Sequence, residues 1–309
     1  MKTKITIGTR SSKLALWQTN FVKRELQKKF PELEIAIKEI KTTGDHITDV
    51  ALSKIGNKGL FTKEIEDALL NNEIDLAVHS LKDLPTKLPD SLMIGAVLKK
   101  ENPHDVLLSR EHIKFKDLLP GSLLGTSSLR RIAQLKAIRQ DLEYIDLRGN
   151  LDTRIKKLEE GQYDAIVLAY SGIKRLGFEN KITENFHPIE ILPAVGQGAL
   201  AIEVRENDNQ IQELVKVLND YETYLISIAE RAFLETLQGG CQVPIGAYSE
   251  ISNTKIILYG VIASLDGKKI VKDTLISDLE INSCKNLGKE LALKLLQAGG
   301  NKILEAIKV

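Results

Sequence analysis

The 309-residue chain has only two cysteines, Cys241 and Cys284, which excludes the disulfide framework that staples small secreted scaffolds. A reducing, cytoplasmic setting is the expectation. Aromatic residues make up 5% of the sequence, too few to furnish the stacking platforms on which single-stranded nucleic acids bind. Net charge is also scarce. With 43 basic against 42 acidic side chains, a formal +1, the chain lacks the electrostatic footprint of a protein that binds DNA or RNA through global charge. No run approaches the roughly 18 apolar residues of a membrane helix. The start turns polar again by Gly8-Thr9-Arg10 and offers no apolar signal-peptide region. Neither nucleic acid, membrane nor export is expected. The zinc-protease His-Glu pattern, the paired-cysteine motif and the Walker phosphate loop are all missing, and Gly196-Gln197-Gly198 lacks the third glycine of a dinucleotide fingerprint. No metal site is expected. The five histidines occur singly, and only His79 has suggestive neighbours.

What is present is a hydrophobic fraction of 43%, enough to give a core to each of the two or three domains that this length suggests at about 150 residues apiece. Residues 4–9 alternate as a strand, and Ser12 precedes a run with Leu14, Trp17, Phe21, Val22 and Leu26 at helical spacing. Strand signals over 33–40 and 74–78 bracket a helix over 61–70. After Pro103 the scheme restarts, with strands at 106–108, 123–125, 144–147 and 165–169 and helices at 129–138 and 151–158. This alternation predicts parallel sheets with helices on both faces. Gly8-Thr9-Arg10-Ser11-Ser12 and Gly125-Thr126-Ser127-Ser128 echo each other, each ending a strand before a Ser-capped helix. The expected division is an α/β domain from 1–99 and 199–218, a second from 104–193, and a small α+β domain from 221–309. In the last, strands over 256–263 and 269–276 form a hairpin around Asp266-Gly267.

Charge is balanced overall but not locally. Between Ser122 and Lys157, eight cations face four carboxylates. Arg130 and Arg131 sit in the first turn of a predicted helix, where the dipole disfavours a cation by about 0.3–1 kcal/mol. That placement calls for an anion, and the hydroxyls of Thr126, Ser127 and Ser128 with the free N–H groups of the turn would complete its site. Arg148 and Arg154 fall at the carboxyl edge of the same predicted sheet, and Arg10 and Ser12 at the equivalent edge of the first, where open α/β sheets bind ligands. Arginine forks grip carboxylates in bidentate fashion, so a substrate carrying several carboxylates fits. A solvated basic helix face is the plainer reading. Lys82 and Asp83 follow a buried strand: either an exposed ion pair, or a carboxylate placed to stabilise a cationic intermediate. Cys241, in Gly239-Gly240-Cys241-Gln242-Val243-Pro244, lies on a loop that Gly and Pro keep out of helix and strand. It is either structural or reactive, as a nucleophile or a covalent anchor.

The motifs occur in order over essentially the whole chain: Gly8 to Ser12 with Leu14 to Gln18; Lys54-Ile55-Gly56-Asn57-Lys58-Gly59-Leu60-Phe61; Ala77-Val78-His79-Ser80-Leu81-Lys82-Asp83. Gly125 to Arg131 follows, then Leu147-Arg148-Gly149-Asn150 with Thr153-Arg154, Leu192 to Gly198, and Gly239 to Pro244. Together they resemble the porphobilinogen deaminase family, also called hydroxymethylbilane synthases. The resemblance implies a transferase that condenses four porphobilinogen molecules head to tail, with loss of ammonia at each step, and then releases hydroxymethylbilane for heme biosynthesis. It implies a dipyrromethane cofactor joined by a thioether to Cys241, and two periplasmic-binding-protein-like α/β domains followed by a small α+β domain. Asp83 would be the catalytic carboxylate. Arg10, Ser12, Ser80, Lys82, Thr126, Ser127, Ser128, Arg130, Arg131, Arg148, Gly149, Arg154, Arg175 and Gln197 would hold cofactor and substrate, and Lys54 and Lys58 would belong to a mobile lid. The resemblance also implies a monomer, and no heptad seam argues otherwise here. Asn57, where the motif commonly has glycine, and Tyr170-Ser171, beside the helix carrying Arg175, depart from the pattern. The competing reading is a non-catalytic two-lobed carboxylate-binding module. It explains the two lobes and the arginines, but not the cysteine loop or the third domain.

Overall fold

Ile5 and Ile7 alternate with polar neighbours along β1 (Lys4–Thr9) and are buried, with relative exposures of 1% and 0%, so the sequence period of two is a strand with one face in the core. The computed structural model describes residues 2–46, 60–239 and 243–307. Lys54, Asn57, Lys58 and Cys241 lie outside them. The next strands are β2 (Glu34–Glu39), β3 (Leu76–Ser80), β4 (Leu92–Val97), β5 (Asp105–Ser109), β6 (Leu123–Gly125) and β7 (Glu143–Ile145). Then come β8 (Ala165–Ala169), β9 (Glu184–Asn185), β10 (Leu200–Arg205), β11 (Ile245–Ser252), β12 (Lys255–Ala263) and β13 (Ile270–Asp278). The chain forms two compact units: 2–46, 60–101 and 198–224 make the first, and 102–197, 225–239 and 243–307 the second.

The first unit is built on a five-stranded sheet in the order β2-β1-β3-β10-β4. β1 runs parallel to β2 and β3, whereas β10 is antiparallel to both its neighbours. A sheet of the second unit, β7-β6-β8-β5-β9, repeats this strand for strand: β6 is parallel to β7 and β8, and β5 is antiparallel to β8 and β9. The all-parallel expectation is therefore corrected to mixed sheets. Right-handed βαβ crossovers enforce parallel pairing only between strands joined locally. β5 and β10 each enter their sheet after the chain changes unit, and no crossover helix fixes their direction. The echo between Gly8–Ser12 and Gly125–Ser128 is thus topological, since β1 and β6 hold the same place in their sheets.

At the return crossing glycine is required. Gly198 has φ +96°, and a Cβ there would lie 2.3 Å from the Glu101 carbonyl oxygen, whereas the Gly198 carbonyl itself accepts from Glu101 N at 3.2 Å. This explains Gly196-Gln197-Gly198 without any nucleotide.

The third sheet, β11-β12-β13, is an antiparallel meander, so the expected hairpin gains a first strand. Phe233, Leu258, Leu287 and Leu291 are buried between it and the helices Tyr221–Thr236 and Ile281–Leu295. It belongs to the second unit because its backbone meets the segment before Gly196. Ala247 N donates to the Pro193 carbonyl (3.1 Å) and Lys272 Nζ to the Glu190 carbonyl (2.8 Å).

Candidate active site

In the first unit, β1 and β3 are parallel neighbours, Ile7 opposite Leu76 and Gly8 opposite Ala77. Their following turns therefore emerge at one carboxyl edge, the ligand edge of open α/β sheets. Ser12 caps the helix Lys13–Lys29 there, its Oγ accepting from Ala15 N at 3.3 Å. Ser80 Oγ accepts from Gln18 Nε2 at 2.9 Å. Buried Leu81 anchors the short turn Leu81–Asp83, which leaves Lys82 half-buried and Asp83 exposed. The guanidinium of Arg10 sits 4.3 Å from the ring centre of Phe61, within cation–π range. Arg10, Ser12, Phe61, His79, Ser80 and Asp83 line one pocket.

His79 is buried, with Nε2 3.0 Å from Oε2 of Glu203, a fully buried carboxylate on β10. Burial pushes the carboxyl of neighbouring Glu66 above its ordinary value, and the charge of Glu203 adds to the effect. Neither glutamate is among the site residues expected from the sequence. The available signal was Glu203 as a lone charge inside the apolar run Leu200–Val204, because a buried charge needs a partner.

In the second unit, β7, β6 and β8 are parallel, so the turns after them also share one edge. Thr126 is buried, its Oγ1 accepting from Ser128 N at 3.3 Å. Ser128 caps the helix Leu129–Lys136, its Oγ accepting from Arg131 N. Gly149 adopts φ +107°, and its carbonyl accepts from Arg154 Nε at 2.7 Å. Arg148 is half-buried, with Nη2 3.9 Å from Asp146. Arg175 ends the helix Tyr170–Arg175 and is half-buried.

Ser127, Arg130, Arg131 and Gln197 each have partners within the chain. Ser127 Oγ donates to the Leu147 carbonyl (2.9 Å) and accepts from Leu147 N (3.0 Å). Its hydroxyl clamps the ends of β6 and β7 together. Arg130 and Arg131 are both buried, each 2.7 Å from a carboxylate oxygen of Asp105. Gln197 points inward as well, its Nε2 donating to the Pro103 carbonyl at 2.6 Å and to Asp105 at 2.8 Å. Asp105 went unselected although it, too, is a charge leading into an apolar strand. Among the described residues, no group of three or more His, Cys, Asp and Glu could hold a metal ion, and no helix is long and apolar enough to cross a membrane.

Two family models match. One, described as "Porphobilinogen deaminase, dipyromethane cofactor binding domain", covers residues 5–213. The other, "Porphobilinogen deaminase, C-terminal domain", covers residues 224–297. A porphobilinogen deaminase of Carboxydothermus hydrogenoformans is 53% identical over 308 residues, 100% of this chain and 98% of the relative. One from Desulforamulus reducens is 51% identical over 309 residues, 100% and 99% respectively. Among solved structures, an ancestral arginine-binding protein bound to arginine aligns at 14% identity over 71% of this chain and 91% of that one, with a TM-score of 0.40. On the two family models and the two relatives at 53% and 51% identity, the chain belongs to the porphobilinogen deaminase family, as a transferase of tetrapyrrole biosynthesis with a dipyrromethane cofactor.

Proposed function

We propose that this chain joins four porphobilinogen molecules head to tail, releasing ammonia at each step, and frees the product hydroxymethylbilane by hydrolysis. The observation that carries the reading is the first-unit pocket, where the carboxylate of Asp83 shares a wall with Arg10 and Ser12. A carboxylate there accepts hydrogen bonds from pyrrole N–H groups and stabilises the cation left on an incoming porphobilinogen when its amino group departs. Arg10 and Lys82 hold substrate carboxylates beside it.

The second unit fits a group that carries carboxylates. Among the described residues Arg131 Nε is buried without a hydrogen-bond partner, an orphaned cationic donor, and Arg148, Arg154 and Arg175 follow strands of the same edge. When bound through Cys241, dipyrromethane supplies the tethered primer to which the first substrate is joined. Arg130, Arg131, Arg148, Arg154 and Arg175 bind and orient its acetates and propionates, with Thr126, Ser128 and the Gly149 turn beside them. Three domains, 1–99 with 199–218, 104–193 and 221–309, working as a monomer in the cytoplasm without nucleic-acid or membrane partners, complete the proposal.

The test is the intact mass of natively purified protein together with ammonia release from porphobilinogen. The expected result is a dipyrromethane-sized increment that vanishes in Cys241→Ala, and turnover lost by about two to three orders of magnitude in Asp83→Asn. An active protein without the increment overturns the reading. Reversible carboxylate binding with no ammonia release would point instead to a non-catalytic binding module.

A further inference from the structure

Asp105 opens β5 and is fully buried. Its Oδ2 accepts from Arg130 Nη1 at 2.7 Å, and its Oδ1 accepts from Arg131 Nη2 at 2.7 Å and from Gln197 Nε2 at 2.8 Å. Each arginine is also held at a second point: Arg130 Nη1 donates to the Leu192 carbonyl (2.7 Å) and Arg131 Nη1 to the Val167 carbonyl (2.9 Å). Two contacts per guanidinium fix the plane of a group that otherwise turns freely about its side-chain torsions. The Leu192 carbonyl is itself shared with Gln134 Nε2 at 3.0 Å, and Gln134 Oε1 accepts from Leu192 N at 2.8 Å. The frame around Arg130 is therefore rigid.

The charges do not balance. Two guanidinium groups face one carboxylate, and the charges acting on Arg130 are those of Asp105 and Arg131. Burial alone would favour protonation of Asp105, but the two arginines outweigh it and hold the carboxyl well below the carboxylate range, so it stays ionised. Among the described residues the cluster keeps a surplus of one positive charge, and Arg131 Nε is buried with no acceptor. Burying an uncompensated charge is costly, and a chain that retains one at a ligand edge has left a place for an anion.

We propose that Asp105 is a positioning residue: by holding Arg130 and Arg131 in fixed orientation and cancelling one of their two charges, it sets them as a cradle for a single carboxylate of substrate or cofactor. The proposal rests on the reading that these arginines hold carboxylates, and it adds the residue that makes them competent to do so. Asp105 acts through the arginines, since both its oxygens are occupied by Arg130, Arg131 and Gln197. Without it, two adjacent like charges repel, and both side chains swing away from the frame.

The experiment compares Asp105→Asn and Asp105→Glu with Arg130→Gln and Arg131→Gln. It is run on the full chain at a temperature where circular dichroism shows each variant folded, and it reads KM and kcat for porphobilinogen and, by intact mass, the fraction carrying cofactor. Asp105→Asn is expected to raise KM about tenfold or more while kcat moves less, or to lower the loaded fraction, as loss of ground-state binding does. Asp105→Glu, which restores the charge one methylene away, is expected to recover part of the loss. A folded Asp105→Asn with wild-type KM and full loading overturns the proposal, and so does a lowered KM, which would make Asp105 a competitor of the ligand. Should Asp105→Asn not fold, Asp105→Ser, which also removes the charge, takes its place, and wild-type KM and loading in it overturn the proposal. If the two arginine variants bind and load normally, the carboxylate-holding reading itself has failed, whatever the Asp105 variants do.

Discussion

Replacing Glu230 by glutamine tests how firmly the second unit is held together. Glu230 lies on the helix Tyr221–Thr236 and is fully buried. Its Oε2 accepts from Gly196 N at 2.8 Å and its Oε1 from Ser249 N at 3.1 Å, so one carboxylate joins the helix to the segment before β10 and to β11. The near-isosteric carboxamide keeps one acceptor and turns an NH2 group toward the other backbone N–H. One buried donor is then left unsatisfied, at about 1–3 kcal/mol, and the surviving bond drops from charge-assisted to neutral strength, about another 1 kcal/mol. Relief of the desolvation of a buried charge offsets part of this. A net loss of about 2 kcal/mol follows, or about 4–8 °C in Tm for a unit of this size. Scanning calorimetry should show the drop, and urea melts should show a lower midpoint at unchanged slope. Glu230→Leu, which orphans both donors, should cost more than the glutamine variant. A Glu230→Gln protein melting within about 1 °C of wild type would refute the reasoning, since both backbone groups would then have found other acceptors.

Two further outcomes follow. Ser127→Ala removes both hydrogen bonds to Leu147 and should lower stability by about 1–3 kcal/mol while leaving KM for porphobilinogen unchanged; a raised KM at unchanged stability would return the hydroxyl to the ligand. Acid unfolding should report Asp208. Burial raises its carboxyl, but hydrogen bonds from Lys2, Arg205 and Ile211 N–H outweigh that and hold it below the ordinary value of 3.8. The unfolded chain therefore binds the proton more readily, and the stabilisation is present above about pH 4 and lost as pH falls below it. Asp208→Asn should flatten that acid limb in denaturant titrations, and an unchanged limb would remove Asp208 from the account.

The sequence by itself determined the local elements and the edge at which chemistry collects. Periods of two and 3.6 mark β1, β6 and their helices, because a side chain's alternation or rotation about its own element is a local property. Ser12 and Ser128 were legible as caps for the same reason, each meeting an N–H three residues on. The order of motifs from Gly8 to Pro244 pointed to the family that the comparisons show. What only the tertiary structure decided are relations between distant parts of the chain. The antiparallel entry of β5 and β10 depends on where the chain comes from when it changes unit, which no window of residues encodes. The carboxylate that Arg130 and Arg131 share lies 25 and 26 residues away at Asp105, and the partner of His79 lies on β10. A count of 43 cations against 42 carboxylates is silent on both. Charges attract according to distance and burial rather than sequence separation, so only the fold reveals which are paired and where one positive charge is left over.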